Sequence, residues 1–247
     1  MIISFFEEFP TKENLNKIKL ITWDTKLYIA AKSVQEFENI QKKIKNRYVK
    51  EIIYWPILEK KEGYWISPFA KRKAIDRIYN ELKEKNIPVM LDAELPFSRN
   101  PWLMLTQLPF FFSNKKKIQT FVKTYPKLTV VEYYQVGKIK EGLLRLFGVS
   151  FLPGKHTLVK MAYHSMRKAN YTKLEKMVQQ KKKEYGSVNL AFGTIAIGVQ
   201  GNEPLLTSEQ LKKDLNFAKR MNMKEIIIFR LGGLNKEYAR LLQAYAY

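Results

Sequence analysis

Residues 190–230 read LAFGTIAIGVQGNEPLLTSEQLKKDLNFAKRMNMKEIIIFR. An apolar run (190–198) leads through a glycine-containing loop into a segment with Leu211, Leu215 and Ala218 at helical spacing. Thr207-Ser-Glu-Gln210 marks the helix start. Its threonine oxygen accepts a backbone N–H while the residue three positions on reaches back. A second apolar run, 225–230, follows. Strand, helix and strand in this order imply parallel strands covered by helices.

The same alternation extends to the N-terminus. Apolar runs recur at 2–6, 27–31, 51–55, 88–92, 129–133 and 157–163. Their near-continuous apolarity and wealth of Ile, Val and Tyr suit strands buried on both faces. Eight such units in 247 residues match a (β/α)8 barrel, which takes about 250 residues. The expected architecture is α/β: one (β/α)8 barrel domain over residues 1–247. An open doubly wound sheet is the alternative, but it usually begins with a glycine-rich first turn, and EEFPTKEN (7–14) has no glycine.

Helix starts support the barrel. Ser33-Val-Gln-Glu36 and Thr172-Lys-Leu-Glu175 read as capping boxes. Ser67 precedes Pro68, and proline suits a first helical turn. Ser113 and Asn235 are further candidate caps. Helices are predicted over roughly 12–20, 68–85 and 208–221. The stretch 101–112, PWLMLTQLPFFF, is too apolar for a plain loop. It either extends the fourth loop over the barrel mouth or packs beneath it.

Hydrophobic residues make up 46% of the chain, enough to fill one core. There is no cysteine, which excludes disulfides and thiolate chemistry. Neither a signal peptide nor a membrane span is legible, so a soluble cytoplasmic protein is expected. The 44 basic and 23 acidic residues give a net charge of +21, which attracts anions. Lys42-Lys43, Lys115 to Lys117 and Lys181 to Lys183 fall on predicted helices and are expected on the outer wall. Nucleic acid is a possible partner but not the favoured one, since no helix-turn-helix, zinc-finger or RNP-type signature is present.

A barrel places its chemistry where strands end and the following loops begin. The polar residues at those tips are Glu7-Glu8, Trp55, Asp92-Ala-Glu94, Glu132, Tyr163-His164, Gln200 and Arg230. Carboxylates are costly to bury unless paired or used. Asp92, Glu94 and Glu132 therefore form a candidate group in which one carboxyl stays protonated, as general-acid catalysis requires. The alternative is an ion-pair network with Arg230, Lys160 or Arg99. Trp55, Tyr64, Trp65, Trp102 and Tyr133 are candidate stacking surfaces for sugar.

Asp92-Ala-Glu94 and Met161-Ala-Tyr163-His164 resemble the D-x-E and M-x-Y-D/N motifs of the chitinase-like glycoside hydrolases (family 18). The resemblance implies a barrel with Glu94 protonating the leaving oxygen, Asp92 as its partner and Tyr163 as stabiliser. The family's earlier aspartates are Ile87 and Met90 here. His164 replaces an Asp or Asn, and Arg230 stands where the family usually has tryptophan.

A second pattern suggests an anion. Gly198-Val-Gln-Gly201 and Arg230-Leu-Gly232-Gly233 follow the seventh and eighth runs, where barrels often bind phosphate. Glycines let backbone N–H groups approach an anion, and Arg230 would supply a forked donor. His156 and His164 are too few for a multi-histidine zinc site, and no Walker or dinucleotide fingerprint appears. No metal or other cofactor is expected. The favoured reading is a glycoside-hydrolase-like enzyme with Glu94, Asp92, Glu132 and Tyr163 catalytic. Glu8, Trp55, His164, Gln200, Arg230, Gly232 and Gly233 would bind a small-molecule or carbohydrate substrate. The alternatives are a barrel for a phosphorylated or anionic small molecule, and a non-catalytic basic protein that binds nucleic acid or membrane.

Overall fold

The computed structural model describes residues 1–96, 101–134 and 137–246. Eight parallel strands close into a ring in chain order. They are β1 (Ile2–Glu7), β2 (Thr25–Ala31), β3 (Val49–Pro56), β4 (Val89–Ala93), β5 (Leu128–Tyr133), β6 (Thr157–Met161), β7 (Asn189–Gly193) and β8 (Glu225–Phe229). Closure by β8 on β1 excludes the open doubly wound sheet. Every predicted run overlaps a strand.

The described α-helices are α1 (Lys12–Asn16), α2 (Val34–Gln41), α3 (Arg72–Leu82), α4 (Pro101–Gln107), α5 (Phe111–Thr124), α6 (Lys138–Leu146), α7 (Tyr171–Tyr185), α8 (Ser208–Arg220) and α9 (Lys236–Gln243). Ser33, Thr207 and Asn235 cap α2, α8 and α9 through their side-chain oxygens. Three expected starts differ. Asn170, not Thr172, caps α7 by accepting from the Lys173 N–H. The chain after Pro68 stays in turns until α3 begins at Arg72. Ser113 lies inside α5, where its hydroxyl donates to the Phe110 carbonyl. No helix among the described residues is long and apolar enough to cross a membrane.

Two cores result. Outward-facing strand residues such as Ile29, Tyr54, Leu91, Val130 and Ile228 pack beneath the helices. Inward-facing residues fill the barrel: Tyr28, Ile53, Met90, Val131, Val159 and Ile227. Its N-terminal end is closed by a polar plug rather than left as a pore. Glu225 accepts from Ser4 at 2.6 Å and Tyr28 at 3.2 Å, and Lys26 approaches its other oxygen at 3.4 Å. The opposite end remains open. On the outer wall, Lys181 departs from the expected solvated row. It is 2% exposed and bonded to Glu184 at 2.7 Å and to Glu141.

Candidate active site at the barrel mouth

Side chains two apart on a strand share a face. Met90 and Asp92 of β4 point inward, and Glu94 continues that face just past the strand end. A cavity of about 590 Å³ opens there, lined among others by Glu8, Trp55, Trp65, Asp92, Glu94, Tyr133, Tyr163 and Glu203. Its apolar floor is Phe6, Met90, Val131, Met161 and Phe229. The residues after β6 and β7 supply the far wall: Tyr163, Met166 and Arg167, then Thr194, Val199 and Gln200.

Four carboxyls reach this cavity. Glu94 is half-buried, and its Oε2 accepts the Tyr133 hydroxyl at 2.9 Å. Burial pushes its pKa up to about 7, and the Tyr133 hydrogen bond opposes the rise. Asp92 is 6% exposed. Burial, then the nearby Glu94 and Glu8 carboxyls, raise it well above the ordinary carboxylate range. Glu8 accepts the Tyr64 hydroxyl at 2.7 Å, and burial lifts its pKa to about 7. Glu203 closes the group. A Cβ on Gly198 would lie 2.8 Å from Glu203 Oε1 and 2.9 Å from Glu8 Oε2, so glycine lets the two carboxyls flank the loop. Asp92 Oδ1, Glu8 Oε2, Glu203 Oε2 and Trp55 Nε1 have no hydrogen-bond partner among the described residues. Among those lining the cavity, Arg167 is the one basic side chain. No group of three or more described His, Asp or Glu side chains is arranged to hold a metal ion.

The structure thus brings together Asp92, Glu94, Tyr163, Glu8, Trp55 and Gln200 from the expected set. It draws the others away. Glu132 pairs in register with Ala93, while Val131 pairs with Asp92, so Glu132 points out of the barrel. There it binds Lys160 at 2.6 Å, Ser150 at 2.9 Å and the Phe151 N–H at 2.8 Å. His164 also sits outside the cavity, with Nδ1 2.6 Å from Asp214. The expected phosphate cradle already holds an anion, the side chain of Glu7. Arg230 Nη1 donates to Glu7 Oε1 at 2.9 Å and Gly232 N–H to Oε2 at 2.6 Å. Arg230 Nε and Nη2 donate to the Ile197 carbonyl at 3.0 and 2.8 Å. Gly233 packs against the backbone at Ile195 and leaves no room for a ligand.

Of the candidate stacking aromatics, Trp55, Trp65 and Tyr133 line the cavity. Tyr64 supports Glu8 instead, and Trp102 lies on the exterior, 76% exposed. Arg99 lies outside the described residues. Glu203 was not singled out from sequence. Its signal is an acidic residue in the glycine-containing loop after the seventh run.

No protein-family model matches this chain, and no curated protein sequence matches it. Solved structures do resemble it. One is a D-tagatose 3-epimerase-like protein, 12% identical over 99% of this chain and 97% of that one, with a TM-score of 0.53. Another is the catalytic domain of a family GH18 chitinase from the fern Peteris ryukyuensis, 10% identical over 99% of each chain, TM-score 0.47. A third is active domain 2 of a thermostable chitinase from Pyrococcus furiosus, 11% identical over 100% and 96% of the two chains, TM-score 0.48. At these identities the likeness is one of fold.

Proposed function

We propose that this barrel hydrolyses a glycosidic bond in a neutral saccharide, with Glu94 as general acid. The observation that carries the reading is a half-buried carboxyl, Glu94, at the end of β4 on the wall of an open cavity with aromatic sides, where burial pushes its pKa up to about 7. Below that pH Glu94 holds a proton and can give it to the leaving oxygen. Above it the proton is gone. The carboxylate left behind faces the positive charge that develops at the anomeric carbon; water then bonds to that carbon in place of the leaving oxygen and returns a proton to Glu94. Asp92 holds a polar group of the substrate through its unpartnered Oδ1. Tyr163, kept protonated by burial and by the carboxyls around it, donates to the same region. Trp55 and Trp65 offer faces to a sugar ring. Among the described residues at the cavity carboxyls outnumber Arg167, so a phosphorylated or acidic substrate would meet repulsion there once pH exceeds about 7 and Glu8 and Glu94 are charged.

A panel of chromogenic glycosides and oligosaccharides tests this reading. We expect turnover of at least one, with a rate that falls as pH rises through about 7. Glu94→Gln lowers kcat/KM by about 100- to 10,000-fold, the usual weight of a general acid, with an unchanged far-UV spectrum. Full activity in Glu94→Gln, or no turnover of any glycoside, overturns it.

A further inference from the structure

An exterior face bordering the mouth is apolar and cationic, and none of the described elements covers it. Trp102 of α4 is 76% exposed, Phe112 of α5 is 78% exposed and Ile139 of α6 is 83% exposed. Ile139, Leu143 and Leu146 recur at helical spacing along α6, each at least half exposed. Leu144, on the other side of α6, packs against the core. This helix therefore carries apolar residues toward the barrel and toward solvent. These helices are neighbours: α4 leads through residues 108–110 into α5, and α5 meets the end of α6. Lys115 Nζ donates to the Leu146 carbonyl at 2.9 Å. The Phe69 ring lies 4.8 Å from Phe111 and 6.2 Å from Phe147.

The charge around this face is mainly basic, and the acids beside it, Asp76 of α3 and Glu141 of α6, are each paired with lysine or arginine. No acidic residue occurs in sequence between Glu94 and Glu132, and Glu132 is buried. Glu141 of α6 is bonded to Arg145 at 2.9 Å and to Lys181. The flanking positions carry Lys115, Lys116 and Lys140. Exposed apolar patches of this kind mark interaction sites, and the charge selects the partner.

We infer that this face docks on an anionic lipid bilayer. Trp102, Phe112 and Ile139 would enter the boundary between headgroups and acyl chains. The lysines, whose long stems can lie along apolar surface, would meet lipid phosphates. A second copy is a poor partner, because two such faces would oppose lysine to lysine while their acids, Asp76 and Glu141, are already paired within each chain. Nucleic acid would satisfy the lysines but leave Leu143, Leu146 and Ile139 without apolar cover. Since α4 and α6 follow β4 and β5, docking would hold the mouth beside the membrane surface. This inference stands apart from the glycosidase reading and needs no activity.

The test is co-sedimentation of the full chain with phosphatidylcholine vesicles, with and without 30% phosphatidylglycerol, at low salt. Binding is expected to the anionic vesicles and to be at least tenfold weaker to the neutral ones. Trp23, Trp55 and Trp65 are buried at 7%, 2% and 8% exposure, so the blue shift in tryptophan fluorescence on binding should come from Trp102. Trp102→Phe should abolish the shift. Phe112→Ser with Ile139→Ser should weaken binding at least tenfold and leave far-UV circular dichroism unchanged. Equal binding to neutral vesicles, or none to anionic ones, overturns the inference. So does a concentration-dependent dimer or RNA binding that the Phe112→Ser/Ile139→Ser variant loses while vesicle binding persists.

Discussion

Glu94 receives the Tyr133 hydroxyl at 2.9 Å while burial holds its pKa near 7. These two influences oppose each other, and one substitution separates them. Tyr133→Phe removes a donor that favours the charged carboxylate, so the Glu94 pKa should rise by about one unit. Titration of 13C-labelled glutamate carboxyls by NMR reads this directly, and the basic limb of any pH–rate profile should move with it. An unmoved carboxyl would mean that the hydroxyl does not reach Glu94 in solution. The same group links to stability. Its folded pKa of about 7 exceeds the ordinary 4.5, so the folded chain keeps a proton that the unfolded chain releases. That contribution is complete below about pH 4.5 and is lost as pH rises through about 7. Glu94→Gln cannot titrate, so its melting temperature relative to the parent should climb across this window. Thermal scans of both proteins at pH 4.5, 6 and 8 measure the difference, and a constant offset would contradict it.

At the scale of elements, strand parity decides which residues face the cavity. Asp92 and Glu94 were legible because β4 ends in two carboxyls two residues apart. Glu132 was misread because its run, TVVEY, is apolar on both faces and carries no sign of which is inward. Register supplies the answer: Val131 pairs with Asp92, so the next residue faces out. Arg230 was misread for a related reason. Its loop has the composition of an anion site, and sequence does not show that Glu7, two hundred residues earlier, fills it. The helix caps were legible where a side-chain oxygen stood immediately before the helix, as at Ser33, Thr207 and Asn235. The Glu132–Lys160 pair now has a structural role, tying β5 to β6 beneath the helices. Both side chains are at most 3% exposed. Lys160→Met would leave the carboxylate buried without its cation, at a cost of about 3–5 kcal/mol. Adding Glu132→Gln should restore most of that. Guanidinium unfolding of the single and double variants tests the pair, and an unaltered midpoint in Lys160→Met would remove it as a stabilising contact.

Across the whole molecule, the buried charges are mostly acidic. Glu7, Glu8, Asp92, Glu132, Glu203, Asp214 and Glu225 are all buried, whereas Lys160 and Lys181 are the buried basic side chains among the described residues. The outer surface is therefore more cationic than the net charge of +21 conveys, and the mouth is locally acidic. This segregation explains how one chain can present a carboxyl-lined cavity to substrate and a lysine-rich wall to anions. It also carries a penalty, because like charges on the wall repel in the compact state. Salt should relieve it. The screening length falls from about 30 Å at 0.01 M to about 3 Å at 1 M. Ion pairs on this surface are mostly exposed, and screening each of them loses little. Repulsion thus outweighs attraction in the balance, and the melting temperature should rise between 10 mM and 1 M NaCl. A relief of about 1 kcal/mol corresponds to roughly 2–4 °C for a chain of this size. Replacing exposed lysines with neutral residues, as in Lys42→Gln, Lys43→Gln and Lys116→Gln together, should raise the low-salt melting temperature and flatten the salt dependence. A melting temperature that falls with added salt would show instead that surface ion pairs, such as Lys32–Glu59 at 2.8 Å and Lys50–Asp24 at 3.2 Å, dominate the wall.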